Sequence, residues 1–237
     1  MLNSAALILL ALSASQVQKL PYVDVENTEQ ALAMVAMDLR IVEETRLYCG
    51  AEFPLAKRLF DYHSLLWITN NEPEIAAVES YLLTIDRAKQ ESKMAPFVAN
   101  AMTNLKSAAK RLGSDIICNG GIEQIKTGES NIANRTPKAS VFLKEYLRDH
   151  PLPASEAGKR NMSQGCIAQS FNKNADLEDA RATCKCITNV IYKEFTEVEL
   201  AELDQVARAK GNAVSLLSFE RVKPKLAACR IPVAGHN

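Results

Sequence analysis

The sequence predicts an all-α fold, and three observations carry that prediction. Apolar residues recur every three or four positions in segment after segment, Pro, Gly and Asn punctuate the segments, and no stretch sustains the strict polar–apolar alternation of a strand. With 47% hydrophobic and 24% charged residues in 237, there is enough apolar material for a core. The expected layout is two disulfide-braced helical bundles, about four helices and then about three to four, joined by a Gly/Pro-containing connection.

The chain opens with Ala5–Leu12, an apolar run too short to span a bilayer. Ser13-Ala14-Ser15 then supplies the small residues a signal peptidase accepts. Residues 1–15 therefore read as a signal peptide, with the mature protein beginning at Ser15 or Gln16, although Met1–Ser4 carries no Lys or Arg. No later segment holds the ~20 apolar residues of a membrane helix. The expectation is an exported protein, periplasmic or secreted, with no transmembrane segment after signal cleavage. Lys plus Arg equals Asp plus Glu at 28 each, a balance that argues against nucleic-acid binding, which needs a basic footprint.

Residues 16–118 read as the N-terminal helical bundle. Asn27 caps a first helix, with Gln30 three residues later, and Leu32, Val35, Ala36, Leu39 and Val42 form its stripe before an end near Cys49-Gly50. Phe53-Pro54 starts a second helix, with Leu55, Leu59, Tyr62, Leu66 and Trp67 as its apolar face. Asn70-Asn71-Glu72-Pro73 breaks and restarts the chain, and Ile75, Val78, Leu82 and Ile85 follow on one face. A fourth helix takes Phe97, Val98, Ala101, Met102, Leu105, Ala108 and Leu112, and Gly113 stands where a C-cap belongs.

Residues 119–157 read as a connecting segment with a short helix. Asn119-Gly120-Gly121 through Asn134 is Gly-rich and polar. Thr136-Pro137 then starts a helix whose apolar face is Val141, Phe142, Tyr146 and Leu147, and Pro151-Leu152-Pro153 ends it.

Residues 158–237 read as a C-terminal Cys-rich helical domain. Leu177–Phe195 lacks Gly and Pro, so Cys184 and Cys186 lie inside one helix, about 200° apart. Their sulfurs point to opposite faces, and each needs its own partner. A hairpin folding near Asn174 sets Cys184 beside Cys166 and leaves Cys186 for Cys229; a turn shifted by one residue would give Cys166–Cys186 instead. Six cysteines behind a signal-like segment read as three disulfides, and elimination pairs Cys49 with Cys118. Thr196-Glu197-Val198-Glu199 is a capping box ahead of Leu200, Leu203 and Val206, closed by Gly211. A last helix from Asn212 takes Leu216, Leu217 and Phe219, and Pro224 kinks or restarts it before Cys229.

Cys49, Trp67-Ile68-Thr69-Asn70, a second helical cysteine, Cys184-Lys185-Cys186 and Thr196-Glu197-Val198-Glu199-Leu200 together resemble the layout of small exported bacterial all-helical Cys-containing proteins of uncharacterised function. The resemblance covers about half the chain. It implies export and helical structure, and no activity.

Candidate chemistry is sparse. Asp61 and His63 stand two apart on a helix, which separates them by about 200°, so His63 reads as an ordinary helix-surface or boundary histidine. His150 precedes a Pro-rich turn and His236 sits in the C-terminal tail. A zinc site from Cys166, Cys184, Cys186 and Cys229 would need ligands at a spacing zinc sites do not use, and a redox pair would favour Cys-x-x-Cys. Neither metal nor cofactor is expected. Glu43-Glu44 and Glu197/Glu199 read as exposed faces and caps, while Asn134 and Asn161 fit the glycosylation pattern of a eukaryotic source. Two function classes follow. The first is an extracytoplasmic helical binding protein whose partner is another protein or an envelope component, and the alternative is an enzyme with a dispersed site in the crevice between the halves.

Overall fold

The computed structural model describes residues 25–202 and 221–229. The signal-like run, Leu203, Val206, Gly211, the last helix expected from Asn212 to Phe219, and His236 lie outside the described residues. All regular structure among the described residues is helical, and no described helix is long and apolar enough to cross a membrane. The chain divides into two compact units, Met1–Leu152 and Pro153–Asn237.

The first unit is built around α1 (Thr28–Glu52), against which α2 (Lys57–Asn70), α3 (Glu72–Leu82), α4 (Arg87–Leu112), α5 (Ser114–Lys126) and α7 (Pro137–Asp149) all pack. Asn27 Oδ1 accepts the Gln30 N–H at 2.9 Å, while Gln30 Oε1 reaches back to the N–H of Glu26 at 2.9 Å. Both orphan donors are thereby satisfied at the helix entry. Val35, Trp67, Val78, Ile132 and Leu143 form the heart of the core.

Tertiary packing departs from the sequence reading in four places. In α2 the buried side chains are Phe60, Asp61, His63, Ser64 and Trp67, whereas Leu55, Leu59 and Tyr62 are exposed. The more hydrophobic stripe therefore faces solvent, because the inward face satisfies its polar members with ion pairs and hydrogen bonds. Helix α4 begins about ten residues before Phe97, with Asp86 Oδ1 accepting the N–H of Lys89 at 3.2 Å, and it carries Pro96 in its interior. Gly120 and Gly121, read as the start of a connection, lie inside α5, since burial of Ile117, Cys118 and Ile122 outweighs their poor helix propensity. In α7 the buried residues are Ala139, Ser140 and Leu143, with Val141 exposed. Residues 119–149 thus bring α6 (Ile132–Arg135), α7 and most of α5 into the first unit, and Ile132, Ala139 and Leu143 join its core.

The second unit is a hairpin of α8 (Ala154–Asn172) and α9 (Leu177–Glu194), followed by α10 (helical residues 197–202) and α11 (Lys223–Ala228). Asn174 takes a left-handed φ of 69° in the turn, which Asn tolerates better than most side chains. Asp176 Oδ1 caps α9 through the N–H of Glu178 at 2.9 Å. The capping box at Thr196–Glu199 forms reciprocally: Glu199 Oε2 accepts the Thr196 N–H at 2.7 Å, and Thr196 Oγ1 accepts the Glu199 N–H at 3.3 Å. Arg221 then bonds Glu199 at 2.8 Å and lies over the Phe195 ring. Pro224 sits in the first turn of α11, so it restarts a helix there.

Three disulfides pin this architecture: Cys49–Cys118, Cys166–Cys184 and Cys186–Cys229, with Cα–Cα separations of 5.8, 5.7 and 5.5 Å. Cys184 and Cys186 point to opposite sides of α9, one toward α8 and one toward the end of α11. The four sulfurs of the second unit are thus spent on covalent bonds. Three disulfides belong to a protein that matures in an oxidising, extracytoplasmic compartment.

Candidate functional site

A half-open cavity of about 80 Å³ lies in the first unit, between α1, α2, α5 and the stretch that carries Ser130 and Arg135. Apolar walls come from Ile41, Val42, Phe60, Trp67, Ile122 and the Cys49–Cys118 bridge. Thr45, His63, Ser130 and Arg135 are also among the lining residues, and Thr45 Oγ1, His63 Nδ1, Ser130 Oγ and Arg135 Nε are each buried without a hydrogen-bond partner among the described residues. His63 is only 4% exposed and Ser130 7%. Such groups are ordinarily satisfied in a folded protein, so four around one space ask for a further partner.

Each element places its contribution for a local reason. Helix α1 sets Asp38, Thr45 and Arg46 in the same register as its apolar residues, so they reach the interior. On α2, His63 and Trp67 stand one turn apart and share the inward face. The stretch after α5 is tied down from α2: the Trp67 indole N–H donates to the Ser130 carbonyl at 3.1 Å. Asn71 completes the anchor, its Nδ2 donating to the Trp67 carbonyl at 2.8 Å and its Oδ1 accepting the Ile132 N–H at 2.7 Å. Those bonds fix where the Ser130 hydroxyl and the Arg135 guanidinium sit.

Charges around the cavity are paired. Arg46 bonds buried Asp61 at 2.5 Å and Glu43 at 2.6 Å, and Lys57 adds a bond to Asp61 at 3.1 Å. Arg135 binds Asp38 through Nη2, while its Nε is buried without a partner among the described residues. Burial pushes the Asp38 carboxyl above the usual carboxylate range, against the pull of Arg135. Burial also pushes His63 below the ordinary imidazole value, assisted by the charge of Lys126 and opposed by Glu123. His63 is therefore neutral at neutral pH, and Nδ1 can donate or accept according to tautomer.

The residues singled out from the sequence fall as follows. His63, expected at a surface or boundary, is buried on the cavity. Asp61 is buried as well, but its carboxylate faces Arg46 and Lys57, consistent with the angular separation from His63. His150 closes α7, its ring stacked on Tyr146 at 4.5 Å and its carbonyl accepting from Ser80 at 2.7 Å. Glu43 holds Arg46, and Glu199 caps α10. Asn134 donates its amide to the Gly128 carbonyl at 2.9 Å, so its nitrogen is engaged within the loop. Sequence reasoning missed Asp38, Thr45, Arg46, Ser130 and Arg135. The signal for the first three is that charged and hydroxyl side chains occupy core-register positions of α1.

No known protein family, characterised protein or solved structure matches the chain. The functional argument therefore rests on the chemistry of the cavity.

Proposed function

We propose that this chain is an exported binding protein, periplasmic or secreted, and that its first unit receives a ligand in the cavity between α1, α2 and α5. The observation that supports this reading is a half-open, largely apolar cavity of about 80 Å³ whose lining residues include four that carry a buried polar atom without a partner among the described residues. Stability alone would favour filling such a space with apolar side chains, because each unmet polar group costs roughly 1–3 kcal/mol. The catalytic alternative has less behind it: the Ser64 hydroxyl next to His63 in sequence donates to the Asp61 carbonyl at 2.9 Å, so it is not held as a nucleophile. An amide NMR titration with a fragment library tests the proposal. Shifts clustered on Thr45, His63, Ser130 and Arg135 would support it, and hits that leave those residues unmoved would count against it.

A second reading has its own observation. Leu55, Leu59 and Tyr62 stand one turn apart along the outer face beside α2, and all three are exposed, as a surface that docks another protein would be. In that reading the partner is a protein or envelope component, and Leu59→Asp would abolish its capture without changing the melting temperature.

A further inference from the structure

Helix α4 carries a charge pattern that neither the cavity nor the outer face of α2 uses. The chain as a whole is balanced, with 28 basic and 28 acidic residues, yet Lys89, Lys93, Lys106, Lys110 and Arg111 all stand exposed on this one helix. Its single acid, Glu91, is half-buried and held by Arg40 of α1 at 3.2 Å. Among the described residues no carboxylate lies within ion-pair distance of any of the five cations. At about 100° per residue, Lys89, Lys93, Phe97 and Arg111 share a sector of roughly 80°, with Lys106 and Lys110 beside it. Packing does not account for this face. From Ala88 to Asn104, nearly five turns, no residue is buried, and this length meets the core through half-buried Met94 and Met102. Phe97 is 49% exposed among the cations. A helix that buries so little gains little from its own fold.

Charge complementarity sets the partner: a face of cations without counter-ions calls for an anionic surface. The kind of cation narrows it. Four of the five are lysines, point charges on flexible stems, which suit mobile headgroups better than the fixed bidentate geometry that arginine reads. Shape narrows it again, because an exposed helix flank is convex, whereas a bilayer surface yields around a helix and takes an apolar ring at the level of its headgroups. We propose that the outer flank of α4 docks on an anionic lipid surface, with Lys89, Lys93, Lys106, Lys110 and Arg111 at the headgroup phosphates and Phe97 in the interface. The helix lies on the bilayer without entering it, and no described helix is long and apolar enough to cross. This surface goes beyond the cavity reading and stands whether or not the cavity is filled.

The test sediments the mature protein with vesicles of phosphatidylcholine alone and with vesicles in which a third of the lipid is phosphatidylglycerol. Binding should need the anionic lipid. It should weaken by about ten-fold or more as salt rises from about 0.1 M to about 1 M, which shortens the screening length from about 10 Å to about 3 Å. Each cation near such a surface is worth about five-fold in affinity, so Lys93→Gln/Lys110→Gln should weaken binding by roughly 25-fold. The same charge removed from the second unit, by Lys173→Gln/Lys185→Gln, should change it by less than about two-fold, because those exposed lysines are not on α4. All four positions are exposed, so both double variants should keep the parent's circular dichroism and melting temperature. Phe97→Ser should weaken vesicle binding about five-fold and leave binding to soluble dextran sulfate unchanged. Equal sedimentation with the two kinds of vesicle would overturn the proposal, and so would equal losses in the two double variants. Dextran sulfate bound as tightly as the vesicles, with Phe97→Ser silent in both, would overturn the lipid assignment in favour of a soluble polyanion.

Discussion

His63 shows how one residue's environment reaches the behaviour of the chain. The unfolded chain takes up a proton near the ordinary imidazole value of 6.5, while folded His63 resists it because burial penalises the charged ring. Below that value the unfolded state binds more protons than the native state, so stability falls as pH drops from 6.5 toward the folded value, and it is flat above. Denaturant melts of the parent should lose more stability between about pH 7 and about pH 5 than those of His63→Gln. Asp38, whose raised carboxyl acts in the opposite sense at lower pH, is present in both proteins and cancels in the difference. Equal pH slopes would show that His63 is not buried neutral. At this scale the cysteines were legible and the cavity was not. The rotation per residue of a helix dictates that Cys184 and Cys186 diverge, whereas nothing local brings Arg135 beside Asp38, 97 residues away.

Helix α2 carries the sharpest lesson at the scale of elements. Two stripes compete on it, and hydrophobicity favours Leu59, Tyr62 and Leu66 over Phe60, His63 and Ser64, while Trp67, read with the first stripe, is buried with the second. The second is buried because the Arg46–Asp61 pair and the Trp67–Ser130 bond stabilise its polar members, contacts that exist only in the folded protein. Leu55→Asp should therefore change stability by less than ~0.5 kcal/mol, and Phe60→Ala should cost about 3 kcal/mol, measured by urea denaturation. The reverse order would restore the outer stripe to the core. Helix α5 offers a second test. Gly120 is exposed, helical, and a Cβ there meets nothing within 4 Å, so Gly120→Ala should stabilise by about 0.5–1 kcal/mol. A loss of stability would mean that this stretch is the loop its composition suggests. Helix starts were read well wherever the signal was covalently local, as at Asn27, Thr196 and the first-turn prolines. Helix phase and the fate of Gly120-Gly121 were not, because both are decided by what packs against them.

For the whole molecule, the disulfides divide the work unevenly. The first unit has a broad core and one bridge, while the second has the small cluster of Ile191, Phe195, Val222 and Leu226 and two bridges. A small core needs such staples. Closing the 43-residue separation between Cys186 and Cys229 contributes about 4 kcal/mol in the chain-entropy account. The Cys186→Ser/Cys229→Ser double variant should thus show an early loss of helical circular dichroism that Trp67 fluorescence, confined to the first unit, does not follow. A single transition at the parent temperature in both signals would contradict that division.

The central claim is that the first unit keeps a cavity for a ligand, and a crystal structure of the mature protein grown with a small organic probe such as butan-2-ol tests it most directly. The account predicts electron density for the probe in the cavity, its carbon body against Phe60, Trp67 and Ile122. A cavity closed by inward-turned side chains, with Thr45 Oγ1, His63 Nδ1, Ser130 Oγ and Arg135 Nε all satisfied by the protein itself, would contradict it.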